Sequence, residues 1–547
     1  MPITDLLIRN AEKYPNDPAL VELNPEIQER HEKAWKEYEL VEPGIAKGYR
    51  FEITWREFNE KANRFANHLK SKGYGKGNRV AILLMNCLEW LPLYFGILKT
   101  GALVVPMNFR YTAEEIKYCL ELAEADALVF GPEFTERVGE ICNKTPRVKD
   151  YYYVDLLEDG TCPDYALNYD DVVANASIEE PNVPLSDDDD AAIYFSSGTT
   201  GFPKAILHTH ASLLSACHTE QNHHGQTKDD VFLCIPPLYH TGAKMHWFGS
   251  LMSGGKGVIL RGVKPRWILR AASEEGATIV WLLVPWAQDI LDSIKIGKVN
   301  LEDYQLDSWR LMHIGAQPVP PSLIKRWLEV FPGHKYDTNY GLSESAGPGC
   351  VHLGVDNISR VGAIGVPGHN WQAKIVDENG AEVEDGKVGE LIVKGPGLMK
   401  CYYRDEEATA ASLKDGWLYT GDMAKKDDGF IYLVDRKKDV IICGGENIYP
   451  VQIEDFLHTN EDVKDVAVIG LPDHRLGEIT AAIIELKEGS GCTEEDMAYF
   501  CKALPRYKRP RRIIFAEVPR NLTGKIEKPK LRQIYCGESL VETQTKS

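Results

Sequence analysis

The stretch SSGTTGFPK gathers side chains that could bind phosphate groups. Its nine residues include four hydroxyls, two glycines and one lysine, namely Ser196, Ser197, Gly198, Thr199, Thr200, Gly201 and Lys204. Small residues let backbone N–H groups approach phosphate oxygens, hydroxyls donate hydrogen bonds, and a lysine neutralises negative charge. The spacing differs from the P-loop pattern G-x-x-x-x-G-K-[ST] of nucleotide hydrolases. The stretch therefore predicts a phosphate clamp of another kind.

The chain on either side of this stretch reads as regular structure. The strand-like run AAIYF ends directly before Ser196, and a helical stretch is predicted to follow Lys204. A flexible Ser/Gly linker is not usually wedged between a buried strand and a helix. We therefore expect two packed elements to hold the loop in place.

Short β-branched runs alternate with amphipathic helical stretches from about Phe51 onward. Predicted strands include residues 79–85, 127–130, 190–195 and 277–284, and predicted helices include residues 112–125 and 320–331. This alternation predicts an α/β fold of mostly parallel sheets covered by helices. After Gly389 the strands become shorter and are separated by Gly and Asp turns, which predicts a small barrel or an antiparallel sheet.

The pattern of predicted elements changes again near Asp435, where the charged run DRKKD precedes new strand and helix signals. We predict a large N-terminal domain of residues 1–435, made of two α/β subdomains and a small β-barrel-like subdomain. Residues 436–547 are predicted to form a small, mobile α+β C-terminal domain.

Length, charge and cysteine usage limit the class of protein. A chain of 547 residues with 44% apolar content exceeds what one hydrophobic core usually serves. The formal net charge of -19 disfavours nucleic acid as a partner. No signal-peptide core and no run of eighteen apolar residues is present, so we expect a cytoplasmic protein without an integral membrane segment. The 12 cysteines form no C-x-x-C pair, which argues against a disulfide framework or a zinc ribbon.

Five further motifs follow the phosphate loop along the chain. They are YGLSES (340–345), GELIVKGPGLMKCYY (389–403), GWLYTGD (416–422), DRKKDVIICGGENIYPVQIE (435–454) and PRNLTGKIEK (519–528). Together with SSGTTGFPK, and in this order, they resemble the adenylate-forming superfamily of acyl-CoA synthetases, luciferases and peptide-synthetase adenylation domains. The resemblance covers nearly the whole chain. It implies an ATP-dependent acid:thiol ligase that activates a carboxylic acid as its acyl-adenylate and passes the acyl group to coenzyme A (CoA).

The resemblance implies roles for residues of the ATP site. Glu344 would hold Mg²⁺, Ser343 would hydrogen-bond the α-phosphate, and Tyr340 would stack on adenine. Asp422 would accept hydrogen bonds from the ribose hydroxyls, with Arg436 assisting. Further neighbours of the nucleotide would be Gly315, Ala316, Thr338, Asn339 and Gly341.

The two half-reactions place demands on the C-terminal part of the chain. Lys525, in the motif T-G-K-I, resembles the family's catalytic lysine, which would bridge carboxylate and α-phosphate oxygens during adenylation. Lys438 resembles the hinge about which the C-terminal domain of this family rotates. Gly444 and Gly445 would then line the pantetheine tunnel, where a side chain would obstruct the thiol. Residues 502–512 carry six basic side chains and no acidic one, which suits either the phosphates of CoA or a solvated surface.

The sequence says less about which carboxylic acid the protein binds. His240, in IPPLYHTGA, matches the family's position beside the acid-binding tunnel, where it would gate the tunnel or orient the carboxylate. Trp247 and Trp281 are among the aromatic and apolar residues that we expect to line the acid pocket. A medium-to-long fatty acid, an aromatic acid or an alicyclic acid would suit this pocket better than acetate.

Several alternatives stay open. An amino-acid adenylation domain usually presents an aspartate near LYHTGA, which is missing here, whereas luciferase-like chemistry shares the adenylation motifs. The segment from Glu22 to Tyr49 is longer than the family's usual hairpin and fits either a surface helix or an oligomer contact such as that of a homodimer. The five histidines between positions 208 and 224 lack regular ligand spacing, so we expect no metal there.

Overall fold

The computed structural model describes residues 1–27, 29, 46–157, 160–196, 203–315, 319–347, 349–443, 446–520 and 526–536. Fifteen α-helices lie within these ranges: α1 Thr4–Lys13, α2 Trp55–Ser71, α3 Trp90–Lys99, α4 Ala113–Leu122, α5 Thr135–Ile141, α6 Tyr169–Ala174, α7 His210–His224, α8 Thr241–Ser253, α9 Pro265–Glu275, α10 Val284–Lys295, α11 Pro321–Val330, α12 Glu406–Ser412, α13 Pro450–Leu457, α14 Glu494–Phe500 and α15 Lys528–Cys536.

The same ranges contain twenty-eight strands. They are β1 Pro18–Leu23, β2 Arg50–Thr54, β3 Arg79–Leu83, β4 Leu103–Pro106, β5 Ala127–Phe130, β6 Asp150–Tyr153, β7 Leu167–Asn168, β8 Asp190–Phe195, β9 Ala205–Thr209, β10 Val231–Cys234, β11 Lys256–Leu260, β12 Ile279–Leu283, β13 Leu311–Gly315, β14 Lys335–Asp337, β15 Asn339–Tyr340, β16 Val351–His352, β17 Val366–Pro367, β18 Gln372–Val376, β19 Val388–Lys394, β20 Cys401–Tyr402, β21 Leu413–Lys414, β22 Trp417–Asp427, β23 Phe430–Arg436, β24 Ile441–Cys443, β25 Glu446–Ile448, β26 Val463–Asp473, β27 Gly477–Leu486 and β28 Arg512–Phe515.

The two largest sheets are mostly parallel, which confirms the predicted α/β class. Their strand orders are β20-β9-β8-β4-β3-β5-β6-β7 and β14-β13-β12-β10-β11-β1-β2. The central strands β5, β12 and β13 are buried at every position, as expected when helices cover both faces of a parallel sheet. One buried cluster joins Val105 and Leu128 of the first sheet to Val258 and Leu282 of the second. The two α/β subdomains therefore share a core.

Local sequence accounts for several helix ends. The Glu57 N–H donates to Thr54 Oγ1 at 3.2 Å and the Thr54 N–H donates to Glu57 Oε2 at 2.8 Å, a capping box that starts α2. Thr112 caps α4 in the same way. Helix α8 ends at Gly254, whose φ of +80° is readily adopted by glycine.

The remaining sheets are smaller and mostly antiparallel. Strands β18-β19-β22-β21, with β23 beside β22, form the region that was predicted to be barrel-like. No strand pairing within the described ranges closes this sheet into a barrel. Strands β25-β24-β27-β26, with β28 beside β27, pack with α13 to α15 as an α+β unit. The boundary at residue 435 and the mobility of this unit stay predictions.

The segment from Glu22 to Tyr49 does not begin at the surface. Glu22 lies in β1, between β11 and β2, and is 5% exposed. Its carboxylate accepts hydrogen bonds from the Leu88 N–H at 2.5 Å and from Asn24 Nδ2 at 2.7 Å. Residues 28 and 30–45, where a surface helix was considered, lie outside the described residues. Among the described helices, none combines the length and apolar character needed to span a membrane.

Candidate active site

The phosphate loop connects two antiparallel strands, β8 and β9. The Ser196 N–H donates to the Lys204 carbonyl at 3.0 Å, which closes the base of the loop. The prediction of a helix directly after Lys204 is wrong, because AILHT forms β9 between β8 and β20, and α7 begins only at His210. The middle of the loop lies outside the described residues, namely Ser197, Gly198, Thr199, Thr200 and Gly201.

Tyr402 lies between the lysine of this loop and the carboxylate predicted to hold a metal. Its hydroxyl donates to Glu344 Oε1 at 2.8 Å, and Lys204 Nζ lies 4.9 Å from the centre of its ring. Burial, with the Glu344 charge, raises the pKa of Tyr402, so the hydroxyl keeps its proton. The Met399 N–H donates to the Glu344 carbonyl at 2.7 Å and fixes the backbone there. A cation and a carboxylate thus flank one tyrosine.

His208 fixes the residue next to Glu344. Its Nε2 donates to the Ser343 carbonyl at 2.8 Å, and its Nδ1 lies 3.0 Å from Ser212 Oγ. Because a carbonyl only accepts, the proton of a neutral ring resides on Nε2. Burial lowers the pKa of His208 to about 4, which keeps the ring neutral at physiological pH. The Ser343 hydroxyl also accepts from Thr241 Oγ1 at 3.3 Å.

Tyr340 and Asp422 form a buried pair. The Tyr340 hydroxyl donates to Asp422 Oδ2 at 2.6 Å, and Arg436 Nε lies 3.4 Å from Asp422 Oδ1. The register of β22 and β23 places Asp422 opposite Arg436. Burial, with the Asp422 charge, raises the pKa of Tyr340 well above its usual range. One oxygen of Asp422 is therefore held by a tyrosine while the other faces an arginine.

The predicted adenine-pocket residues meet near the carboxyl end of β13. A Cβ atom on Gly315 would lie 3.3 Å from Asn339 Oδ1, and Thr338 beside it is buried. A Cβ atom on Gly341 would lie 2.7 Å from the Cα and N atoms of Gly349, which is too close for any side chain. The carboxyl edge of a parallel sheet is where α/β folds usually bind ligands. Ala316 lies outside the described residues.

His240 and Trp281 come together at the start of α8. A Cβ atom on Gly242 would lie 3.4 Å from His240 Nδ1 and 3.3 Å from Trp281 Cη2, so both rings border this glycine. The ring of Trp281 lies 4.4 Å from that of His246. Trp281 is the middle residue of β12, in register with His313 of β13 and two residues before the edge at which Gly315 lies.

Trp247 is buried like Trp281, but it packs against a different set of aromatic rings. Its ring packs 6.0 Å from that of Phe58 and 6.3 Å from that of Phe95, on the side of α2 and α3. Gly257 of β11 makes room for its indole, because a Cβ atom there would lie 2.3 Å from Trp247 Nε1. Trp247 is therefore a core side chain in this structure.

The predicted hinge lies in a turn between β23 and β24. Lys438 is exposed in this turn. The neighbouring Asp439 Oδ1 accepts from Arg532 Nη1 at 2.8 Å, and Asp435 Oδ2 accepts from the Val451 N–H at 3.0 Å. Burial raises the pKa of Asp435 to about 6. Gly444, Gly445 and Lys525 lie outside the described residues.

Comparison with known proteins adds to this geometry. Residues 7–403 match the family model described as AMP-binding enzyme, and residues 452–525 match that of the AMP-binding enzyme C-terminal domain. The chain is 33% identical over 499 residues to the long-chain-fatty-acid–CoA ligase FadD13 of Mycobacterium tuberculosis, spanning 88% of this chain and 93% of that protein.

It is 32% identical over 488 residues to the feruloyl-CoA synthase of an Amycolatopsis species, spanning 88% of this chain and 94% of that protein. The solved structure of the anthranilate CoA ligase AuaEII in complex with anthranoyl-AMP is similar with a TM-score of 0.85 at 25% identity, over 98% of this chain and 97% of that one. The chain belongs to the AMP-binding enzyme family.

Proposed function

We propose that this protein is an AMP-forming acyl-CoA synthetase. It converts a carboxylic acid and ATP into an acyl-adenylate and pyrophosphate, and then transfers the acyl group to CoA with release of AMP. The observation that carries the proposal is the set of contacts that joins Lys204, Tyr402 and Glu344, with Ser343 next to Glu344 in the chain. The related proteins that are named as CoA ligases support the choice of thiol acceptor.

The adenylation step needs positive charge and hydrogen-bond donors around the triphosphate. Lys204 and the hydroxyls of its loop bind the phosphates, and the Ser343 hydroxyl donates to the α-phosphate. Lys525 bridges the attacking carboxylate and the α-phosphate oxygens. Pyrophosphate leaves as the carboxylate oxygen bonds to the α-phosphorus.

Glu344 is suited to a divalent metal. Nucleotide sites bind Mg²⁺ through one or two carboxylates together with substrate phosphates and waters. Glu344 is half-buried, and Tyr402 fixes its carboxylate through Oε1. Such a hard oxygen ligand beside the phosphate loop fits Mg²⁺, which when bound would neutralise charge on the departing pyrophosphate.

Asp422 recognises the ribose, and Tyr340 orients the Asp422 carboxylate. A carboxylate offers about four lone-pair sites, and Tyr340 uses one on Oδ2. The ribose hydroxyls donate to the remaining sites, and Arg436 keeps the second oxygen facing the nucleotide. Gly315, Thr338, Asn339 and Gly341 surround the adenine, on which the Tyr340 ring stacks.

Thioester formation uses the C-terminal unit. Rotation about Lys438 brings Gly444 and Gly445 to the adenylate, so that pantetheine passes along backbone without side chains. The thiol sulfur bonds to the acyl carbon, the bond between that carbon and the AMP phosphate oxygen breaks, and AMP and the thiol proton are released.

The acid is a fatty or aromatic one. His240 and Trp281 border Gly242 at the start of α8, which provides an aromatic wall for an apolar acyl group. The relatives act, by their names, on long-chain fatty acids and on ferulate.

The experiment is a panel of straight-chain, aromatic and alicyclic acids, each incubated with ATP, Mg²⁺ and CoA. We expect acyl-CoA, identified by mass spectrometry, and AMP in equal amounts for members of the fatty or aromatic set. Release of ADP, or AMP formation without any thioester, would overturn the assignment.

A further inference from the structure

A cluster of buried histidines and carboxylates lies beside Trp281, and the reaction described above does not use it. Its members are all at most 2% exposed, namely Glu220, His224, His246, His313, Asp337 and His352. They come from α7, α8, β13, β14 and β16, so only the tertiary fold brings them together. Six titratable side chains away from water require an explanation, because buried polar groups are costly unless paired.

Three ligand atoms converge at the centre of this cluster. His224 Nε2 lies 3.0 Å from His313 Nδ1 and 3.2 Å from Asp337 Oδ2, and His313 Nδ1 lies 3.7 Å from Asp337 Oδ2. Zn–N and Zn–O bonds of about 2.0–2.1 Å in a tetrahedron place neighbouring ligand atoms about 3.3 Å apart. The three observed separations bracket this value.

Hydrogen bonds alone leave this triangle incomplete. A neutral His224 with its proton on Nε2 can donate it to His313 Nδ1 or to Asp337 Oδ2, but a single proton cannot fully serve both. His313 Nδ1 is too far from Asp337 Oδ2, at 3.7 Å, to donate to it. His313 Nε2 and His352 Nδ1 have no hydrogen-bond partner in the described part of the chain. Within the described ranges, these two buried ring nitrogens therefore lack a hydrogen-bond partner.

The charge of the cluster is unbalanced in the same way. Glu220 and Asp337 are fully buried, and within the described ranges their ion-pair partners are all histidines. One protonated histidine would offset one of the two carboxylates. A divalent cation held by neutral histidines would offset both.

We propose that His224 Nε2, His313 Nδ1 and Asp337 Oδ2 bind a zinc ion. Mixed imidazole and carboxylate ligands suit Zn²⁺, and a structural site takes a fourth ligand beside these three. The other nitrogen of His224, Nδ1, lies 3.1 Å from Glu220 Oε2, which resembles the carboxylate–histidine–zinc arrangement of protein zinc sites. His352 Nδ1, 3.8 Å from Asp337 Oδ2, is a further donor on this side.

Neighbouring groups hold two of these ligands in place. Arg310 Nη2 donates to the His224 carbonyl at 2.9 Å, and the Gly354 N–H donates to Asp337 Oδ1 at 2.8 Å. The ion would tie the end of α7 to β13 and β14, directly before Asn339 and Tyr340. It would therefore stabilise the floor of the ATP site without taking part in the chemistry.

The test measures metal in the full-length chain, purified without a histidine tag from cells grown with added Zn²⁺. We expect about one zinc ion per chain by elemental mass spectrometry. In His313→Gln and Asp337→Asn the zinc content should fall by about tenfold or more. The control is His210→Gln, which changes a buried histidine at the other end of the same helix and should keep its zinc. Chelator should lower the Tm of the wild-type and His210→Gln proteins only.

A second measurement covers the case in which the ligand variants do not fold. Co²⁺ added to the chelator-treated wild-type chain should give the visible absorption of tetrahedral cobalt and restore the Tm. Absence of bound zinc in the wild type, with no change of Tm on adding Zn²⁺, would overturn the proposal in favour of a protonated His224 between Glu220 and Asp337. Equal zinc in wild type and ligand variants would assign the metal to surface sites and also overturn it.

Discussion

His208 shows how one buried side chain positions another that is proposed to contact the nucleotide. Its ring donates to the Ser343 carbonyl and contacts the Ser212 hydroxyl, and these two contacts hold the turn that carries Ser343 and Glu344. Tyr402 also holds this turn, because its hydroxyl donates to the Glu344 carboxylate. Neither residue is suggested by motif alone as a positioning group, because His208 and Ser343 are 135 residues apart in the sequence.

The neutral state of His208 gives a pH prediction. Burial lowers its pKa from 6.5 to about 4. The stability that comes from the neutral ring is therefore complete above pH 6.5 and is lost as the pH falls from 6.5 towards 4, by up to about 3 kcal/mol. His208→Phe should make the Tm less sensitive to acid over this range and should slow ATP–pyrophosphate exchange by about tenfold.

His210→Phe provides the control for this prediction. His210 lies two residues further along the chain, at the start of α7, and burial also lowers its pKa to about 4. The variant should lose the same kind of acid sensitivity while its exchange rate stays unchanged. If His208→Phe kept the acid sensitivity of the wild type, the ring would have to be protonated in the folded state.

Lys525→Ala should separate the two half-reactions. The lost cation should slow adenylation by about 10²–10³-fold, as when a charge partner of a transition state is removed. Conversion of a synthetic acyl-adenylate and CoA into the thioester should change little. Lys530→Ala, an exposed lysine on α15, is the matched control. Equal loss in both half-reactions would show that Lys525 supports folding or closure instead.

At the scale of elements, some predictions followed directly from local pattern. Strand β12 carries IVWLL, and such a continuous apolar run is what a parallel strand needs when helices cover both faces. The 112–125 helix was predicted correctly, since Thr112 and Glu115 form a capping box at the start of α4. Strand β9 was missed because it runs directly into α7, which begins at the next residue. Its pairing with β8 and β20, which the local sequence does not encode, decides its conformation.

The environments of Trp281 and Trp247 lead to different expectations. Trp281→Ala enlarges the space beside Gly242 and should shift the order of kcat/KM values towards bulkier acids, with the KM for ATP changed by less than about twofold. Trp247→Ala removes a core side chain and should lower stability by about 3–5 kcal/mol without changing the order of acids. Kinetics over a homologous acid series and thermal melting measure both effects. A changed order in the Trp247 variant alone would reverse the two assignments.

At the scale of the whole molecule, the linear motifs predicted the family, and the tertiary fold supplied what they could not. Glu344 and Asp422 could be proposed for the site because each lies within a short continuous motif. The buried cluster around His224 could not be, because its partners His313 and Asp337 lie 89 and 113 residues further along the chain. The expectation of no metal at the histidines from 208 to 224 rested on their local spacing alone, and the zinc proposal departs from it. Contacts between distant segments have no signature in a single sequence without homologues.

Gly445→Leu tests whether the C-terminal unit serves a second reaction. A side chain in the proposed tunnel should block pantetheine, so the variant should accumulate acyl-adenylate and form little acyl-CoA. Gly491→Leu is the matched control, since a side chain there would meet open space. Melting curves must show that both variants fold, because replacing a glycine by leucine can by itself lower stability. Normal acyl-CoA formation by a folded Gly445→Leu protein would remove this residue from the tunnel.

The transfer of oxygen from the acid to AMP tests the central claim most directly. A fatty or aromatic acid labelled with ¹⁸O in both carboxylate oxygens is incubated with ATP, Mg²⁺, CoA and the enzyme. Attack of the carboxylate on the α-phosphorus, followed by cleavage at the acyl carbon, leaves one ¹⁸O atom in each AMP and one in each thioester. We expect mass spectrometry to show this distribution of label. Unlabelled AMP, or label in inorganic phosphate with release of ADP, would contradict an acyl-adenylate intermediate.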